Sequence, residues 1–256
     1  MRLSSTFYKS LMKPTQRYLV TLLTVFACTF GHFVNAQTTA EEQQSMTPQQ
    51  VLDDLMAGNK RYVKGRMKSS STDIEASRKT TASGQYPKAV ILSCLDSRVP
   101  VELVFDQGIG DIFVGRVAGN IENEDQLGSM EFATKLAGSK LVMVLGHSSC
   151  GAVKGACDNA ELGNLTALLM KIKPAVDAVK GVEGERNSSN KEFVDAVIKQ
   201  NVRQTLKDIR ERSKVLSELE EEGKIKIVGA IYDLESGKVK LLSENFRQNK
   251  RMDSTS

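Results

Sequence analysis

Two short stretches of this sequence carry residue types that do chemistry together: Cys94-Leu95-Asp96-Ser97-Arg98 and, further along, His147-Ser148-Ser149-Cys150-Gly151. Two cysteines and a histidine can present two thiolates and one imidazole, a donor set that zinc takes in tetrahedral sites. Three protein ligands leave the fourth position to water, the arrangement of a catalytic rather than a structural zinc. A His-x-x-Cys pair alone is a common accident. Here each half follows an apolar run, and the first adds an acid and an arginine at alternate positions after its cysteine.

The supply of such residues is small. The chain has two histidines, His32 and His147, and four cysteines, Cys28, Cys94, Cys150 and Cys157. Cys28 and His32 fall in an N-terminal segment read below as a signal. The three cysteines left are too few and too odd in number for a disulfide framework, which favours metal or catalytic use. Cys157, on the helix expected to open at Gly151, reads as a buried thiol.

Positioning these groups needs a frame. Compact, β-branched apolar runs at 89–92, 112–114, 141–145 and 225–231 predict strands, those at 89–92 and 141–145 buried on both faces as in a parallel sheet. Helical stretches are expected at 125–137, from 151, at 162–179 and at 191–219. Alternating strands and helices mean an α/β layer fold around a mostly parallel central sheet. In such folds ligands gather at the carboxyl ends of strands, where both cysteine stretches stand.

Residues 1–17 hold Arg2, Lys9, Lys13 and Arg17 and no acid, an apolar run follows to Val34, and Val34-Asn35-Ala36 ends on small residues. Residues 1–36 therefore read as a secretory signal peptide, with a retained anchor as the competing reading. The overall charge of +4 comes from that segment, because 31 basic and 31 acidic residues remain beyond it. A balanced chain gives no electrostatic reason to expect nucleic acid or an anionic membrane as partner. The expected place is periplasmic or secreted.

Residues 37–46 read as a flexible lead-in. Thr47-Pro48 with Gln50 is a capping box that starts a helix over 48–65. Residues 66–87 are a polar connection without periodicity. One domain is expected over 47–246, and 247–256 is a polar, disordered tail.

Cys-x-Asp-x-Arg followed by His-x-x-Cys, with Arg116-Val117-Ala118-Gly119-Asn120 and Cys150-Gly151-Ala152-Val153, resembles the β-class carbonic anhydrases over most of 47–246. The resemblance implies one zinc per chain on Cys94, His147 and Cys150, with Asp96 and Arg98 as the catalytic dyad. The resemblance also allows an alternative in which Asp96 swings onto zinc as a fourth ligand, the closed form that some members show. It further implies reversible hydration of carbon dioxide to bicarbonate and a proton by zinc-bound hydroxide. A four-stranded parallel core with an added strand, in a homodimer or homotetramer, is expected. Gln85 matches a glutamine that in some relatives reaches substrate across the dimer interface, Gly151 a backbone donor to bicarbonate, and Phe113 a lining of the apolar pocket. Carbon disulfide or carbonyl sulfide hydrolysis on the same site, or zinc binding without turnover, are the competing readings.

Some bacterial relatives carry an inhibitory bicarbonate pocket of Trp, Arg and Tyr. The matching positions here are read as Ile91, Arg116 and Phe132, and the chain has no Trp. The expectation is a site without that inhibition, open at neutral pH.

Overall fold

The apolar runs become strands because β-branched residues suit a pleated surface buried on both faces. In the computed structural model, which describes residues 37–69 and 73–243, these are β1 (Ala89–Ser93), β2 (Ile112–Arg116), β3 (Leu141–His147) and β4 (Lys226–Tyr232). They pair in parallel, and β5 (Val239–Leu241) adds an antiparallel edge, giving the order β2-β1-β3-β4-β5. This is the α/β fold expected, with its four-stranded parallel core and fifth strand.

Parallel neighbours need crossovers, and helices supply them. A one-turn α4 (Val101–Val104) lies between β1 and β2. Helix α5 (Glu124–Glu131), prolonged by a π turn over Phe132–Leu136, leads into β3. Helices α6 (Gly151–Cys157), α7 (Gly163–Ala178), α8 (Lys191–Arg212) and α9 (Lys214–Glu221) fill the long crossover from β3 to β4. The single helix expected over 191–219 is broken at Ser213, whose hydroxyl accepts from the Leu216 amide and starts α9.

The N-terminal part departs further from expectation. Residues 37–46 contain α1 (Ala40–Ser45), capped by a Thr39–Glu42 capping box. Gln43 is buried, and its amide donates to the carbonyls of Pro87 and Ala137 at 2.8 Å each. The lead-in is therefore docked rather than flexible, through long-range bonds that local composition does not reveal. Helix α2 (Pro48–Val63) starts on Thr47 as predicted. The connection 66–87, read as polar and without periodicity, holds α3 (Ile74–Thr81) behind an Asp73 cap. Residues 1–36 and 247–256 lie outside the described residues. Among the described residues, no helix is long and apolar enough to cross a membrane.

Helix α8 comes against β3 and β4 closely enough to require glycine there. A Cβ at Gly229 would stand 2.7 Å from Val202 Cγ1 and 2.8 Å from Leu206 Cδ1. Gly229→Ala is expected to cost about 1–3 kcal/mol by overpacking, read as a melting point lower by several degrees. An unchanged melting point would show that α8 can yield.

Candidate metal centre

β1 and β3 are adjacent and parallel, with Ser93 opposite Leu145, so their carboxyl ends emerge side by side. Cys94 is the first residue beyond β1, and His147 is the last of β3. Cys150 arrives through the turn Ser148-Ser149, where Ser149 takes φ 57, and caps the start of α6. All three side chains are buried, and their donor atoms lie within 4.8 Å of one another.

The donor set fits zinc. Cys94 Sγ and Cys150 Sγ are 4.0 Å apart, against ~3.8 Å for two 2.3 Å zinc–sulfur bonds at a tetrahedral angle. His147 Nδ1 lies 2.9 Å from the Ser148 carbonyl, which holds the proton on that nitrogen. His147 Nε2 is buried without a hydrogen-bond partner and is free to ligate. An orphaned ring nitrogen facing two thiols is costly unless a metal satisfies it.

Cys94 is pushed down, chiefly because the Cys150 thiol donates to it, with the Gly119 amide adding to the effect. Cys150 is pushed up by the same shared proton and by burial. The Gly119 amide lies 3.3 Å from Cys94 Sγ. Cys157 is a buried free thiol, pushed up to about 11 by burial.

Asp96 stands beside the ligands, its Oδ2 3.8 Å from His147 Nε2. Arg98 grips it as a fork: Nε on Oδ1 at 2.9 Å, Nη2 on Oδ2 at 2.7 Å, with the Arg98 amide also on Oδ1 at 2.9 Å. These bonds hold the Asp96 carboxyl down to about 2. The pair contributes stability that is present above the ordinary carboxylate value and is lost as pH falls through about 2. In this arrangement both carboxylate oxygens are engaged by Arg98.

Arg116 has a role that motif spacing did not suggest. Its Nε donates to the Cys94 carbonyl at 3.1 Å, and its Nη2 donates to the Asp96 carbonyl. It thereby clamps the loop that carries a ligand and the dyad acid. Ile91 and Phe132, read with it as an inhibitory pocket, do not join it there. Ile91 is wholly buried and pairs with Val114, whereas Phe132 packs edge-on against Phe113, which pairs with Val90. Neighbouring residues along a strand point to opposite faces, so Ile91 and Phe132 lie on opposite sides of the sheet.

The remaining predicted residues are spread out. Phe113 lines a cleft of about 850 Å³ with Leu92, Arg116, Met130 and Phe132, which no metal ligand borders. Gly151 opens α6, where its N–H has no acceptor within the helix. Gln85 is exposed before the amino end of β1, the opposite end from Cys94.

A thiolate–imidazole centre at the carboxyl edge of a parallel sheet, with an arginine-held carboxylate beside it, defines a catalytic zinc protein of the α/β class. The family model described as carbonic anhydrase matches residues 89–239. Carbonic anhydrase 2 of Mycobacterium tuberculosis is 37% identical over 192 residues, covering 73% of this chain and 89% of that protein. Carbonic anhydrase of Pseudomonas aeruginosa is 33% identical over 170 residues, covering 64% and 77%. Among solved structures, the β-carbonic anhydrase CcaA superposes with TM-score 0.59 at 25% identity, covering 75% of this chain and 95% of that one. One of the two tetrameric β-carbonic anhydrases of Sordaria macrospora gives TM-score 0.57 at 25% identity, covering 65% and 85%. This chain belongs to the β-carbonic anhydrase family.

Proposed function

We propose that the chain hydrates carbon dioxide to bicarbonate, and reverses that reaction, with one zinc held by Cys94, His147 and Cys150. The observation that carries the reading is the buried, unpartnered His147 Nε2 facing two thiols beside an ionised Asp96. Zinc, when bound, supplies a Lewis acid that makes water nucleophilic near neutral pH. Asp96, ionised and held by Arg98, can only accept a hydrogen bond from the nucleophile's O–H, which orients the attacking lone pair. Arg116 keeps the Cys94–Asp96 loop at the depth this needs. The Gly151 amide supports a role as donor to a bicarbonate oxygen.

Two thiolates leave zinc a weaker Lewis acid than imidazoles would, so activity is expected to rise towards mildly alkaline pH. Asp96, held down to about 2, does not shape that rise. A flat rate profile across pH 7–9, measured by stopped flow, would count against this view. The test of the function itself is stopped-flow hydration by the purified protein with zinc counted per chain. Fast hydration with about one zinc supports it, whereas bound zinc without hydration moves the weight to carbon disulfide or carbonyl sulfide hydrolysis, or to metal binding alone.

We also propose a homo-oligomer, a homodimer or homotetramer. β2 is a sheet edge, and Tyr86, Leu95, Leu103 and Phe132 are exposed on a single chain. In such an assembly Gln85, at the opposite end of β1 from Cys94, would serve the partner's site, while Phe113 would line an apolar pocket. The composition of residues 1–36 supports export to the periplasm or beyond.

A further inference from the structure

The turn after β2 is held from a distance. Its closing bond runs from the Asn120 amide to the Val117 carbonyl at 2.9 Å. Gly119 takes φ 73 and directs its own amide to Cys94 Sγ at 3.3 Å. A Cβ at 119 would meet Ile172 Cδ1 at 2.6 Å, so both backbone hand and space require glycine. The hold comes from α8. Asn201 Nδ2 donates to the Gly119 carbonyl at 2.7 Å from a residue only 2% exposed. One turn further on, Thr205 Oγ1 lies 3.4 Å from the Asn120 carbonyl. The next residue on the same helix, Val202, packs over the strand beside His147, where a Cβ at Gly146 would stand 2.7 Å from its Cγ2. Adjacent residues of one helix thus bear on the backbone next to two of the three ligands.

We propose that Asn201 is a positioning residue for the metal centre: by holding the Gly119 carbonyl it keeps the Gly119 amide on the Cys94 sulfur, and so tempers the negative charge that this thiolate gives to zinc. An N–H···S bond draws electron density from sulfur. A thiolate stripped of it donates more strongly and leaves the metal a weaker Lewis acid. Outer partners of this kind cost roughly 10–100-fold in metal affinity or activity when removed. Packing alone does not ask for an amide here, because a buried amide must be hydrogen-bonded to be tolerated. The inference rests on the zinc assignment above, which cobalt uptake by the unmutated protein tests separately.

Asn201→Ala and Asn201→Ser are compared with Gln204→Ala, on the same helix but bonded to Asp208. Each protein is loaded with cobalt for the thiolate-to-metal charge-transfer band, and with zinc for the pH profile of hydration. Both Asn201 variants are expected to move the band to longer wavelength. Their alkaline rise should shift to higher pH, with a loss of roughly 10-fold at neutrality. Gln204→Ala should match the unmutated protein. Asn201 variants that melt earlier but keep band and profile would overturn the proposal, leaving Asn201 as packing. Should neither variant fold, the unmutated protein loaded with cadmium-113 decides by NMR. Coupling between the metal and the Gly119 amide proton, with protected Asn201 side-chain protons, upholds the link, and absence of that coupling overturns it. Failure of the unmutated protein to take up cobalt with a thiolate band would bring down the zinc assignment, and the proposal with it.

Discussion

Cys150→Ser is expected to empty the centre of zinc and to lower carbon dioxide hydration well beyond the roughly 10–100-fold that loss of an outer partner costs. The substitution isolates the ligand. Cys150 caps the start of α6, and serine is among the best residues at that position, so the helix should start as before. What is lost is one soft, anionic donor of three, in a site where the sulfurs lie 4.0 Å apart. Zinc left with Cys94 and His147 has too few protein ligands to be retained against a chelator. Metal per chain by plasma emission and hydration by stopped flow decide the matter. A variant that keeps about one zinc and its rate would remove Cys150 from the ligand set.

Asp96→Asn separates orientation from metal binding. The side chain keeps its shape but loses its charge, and with it the fork from Arg98 and the obligation to act only as an acceptor. Zinc content should stay near that of the unmutated protein, while kcat/KM falls about 10²–10³-fold, the range for loss of a preorganised polar group at the reacting atoms. Folded, zinc-loaded protein with an unchanged rate would reduce the pair to an ordinary surface ion pair. Loss of zinc in this variant would instead make Asp96 part of the metal site.

The residues that do chemistry were legible because their types are rare and their places follow from strand ends. A cysteine one residue past a buried apolar run, and a histidine at the end of another, need only the rule that ligands collect at the carboxyl edge of a parallel sheet. The helix at Pro48–Val63 was legible for a similar reason, since its capping box lies within four residues. Helix α1 was not: Gln43 is held by the carbonyls of Pro87 and Ala137, and nothing in 37–46 announces partners so far along the chain. Arg116 matched a motif, yet its work on the carbonyls of Cys94 and Asp96 depends on β2 lying beside β1.

By itself, then, the sequence determined the core strands, the parallel α/β class and the donor atoms available, because periodicity and residue chemistry are local properties. Tertiary structure decided that β1 neighbours β3, so that Cys94 stands beside His147, and that Ile91 and Phe132 occupy opposite faces. It also decided that Asn201 reaches the turn at Gly119. Those outcomes come from strand order, register and the close approach of α8 at Gly146 and Gly229, which are set by packing between segments remote in the chain; a strand glycine permits such an approach but does not name the helix that makes it.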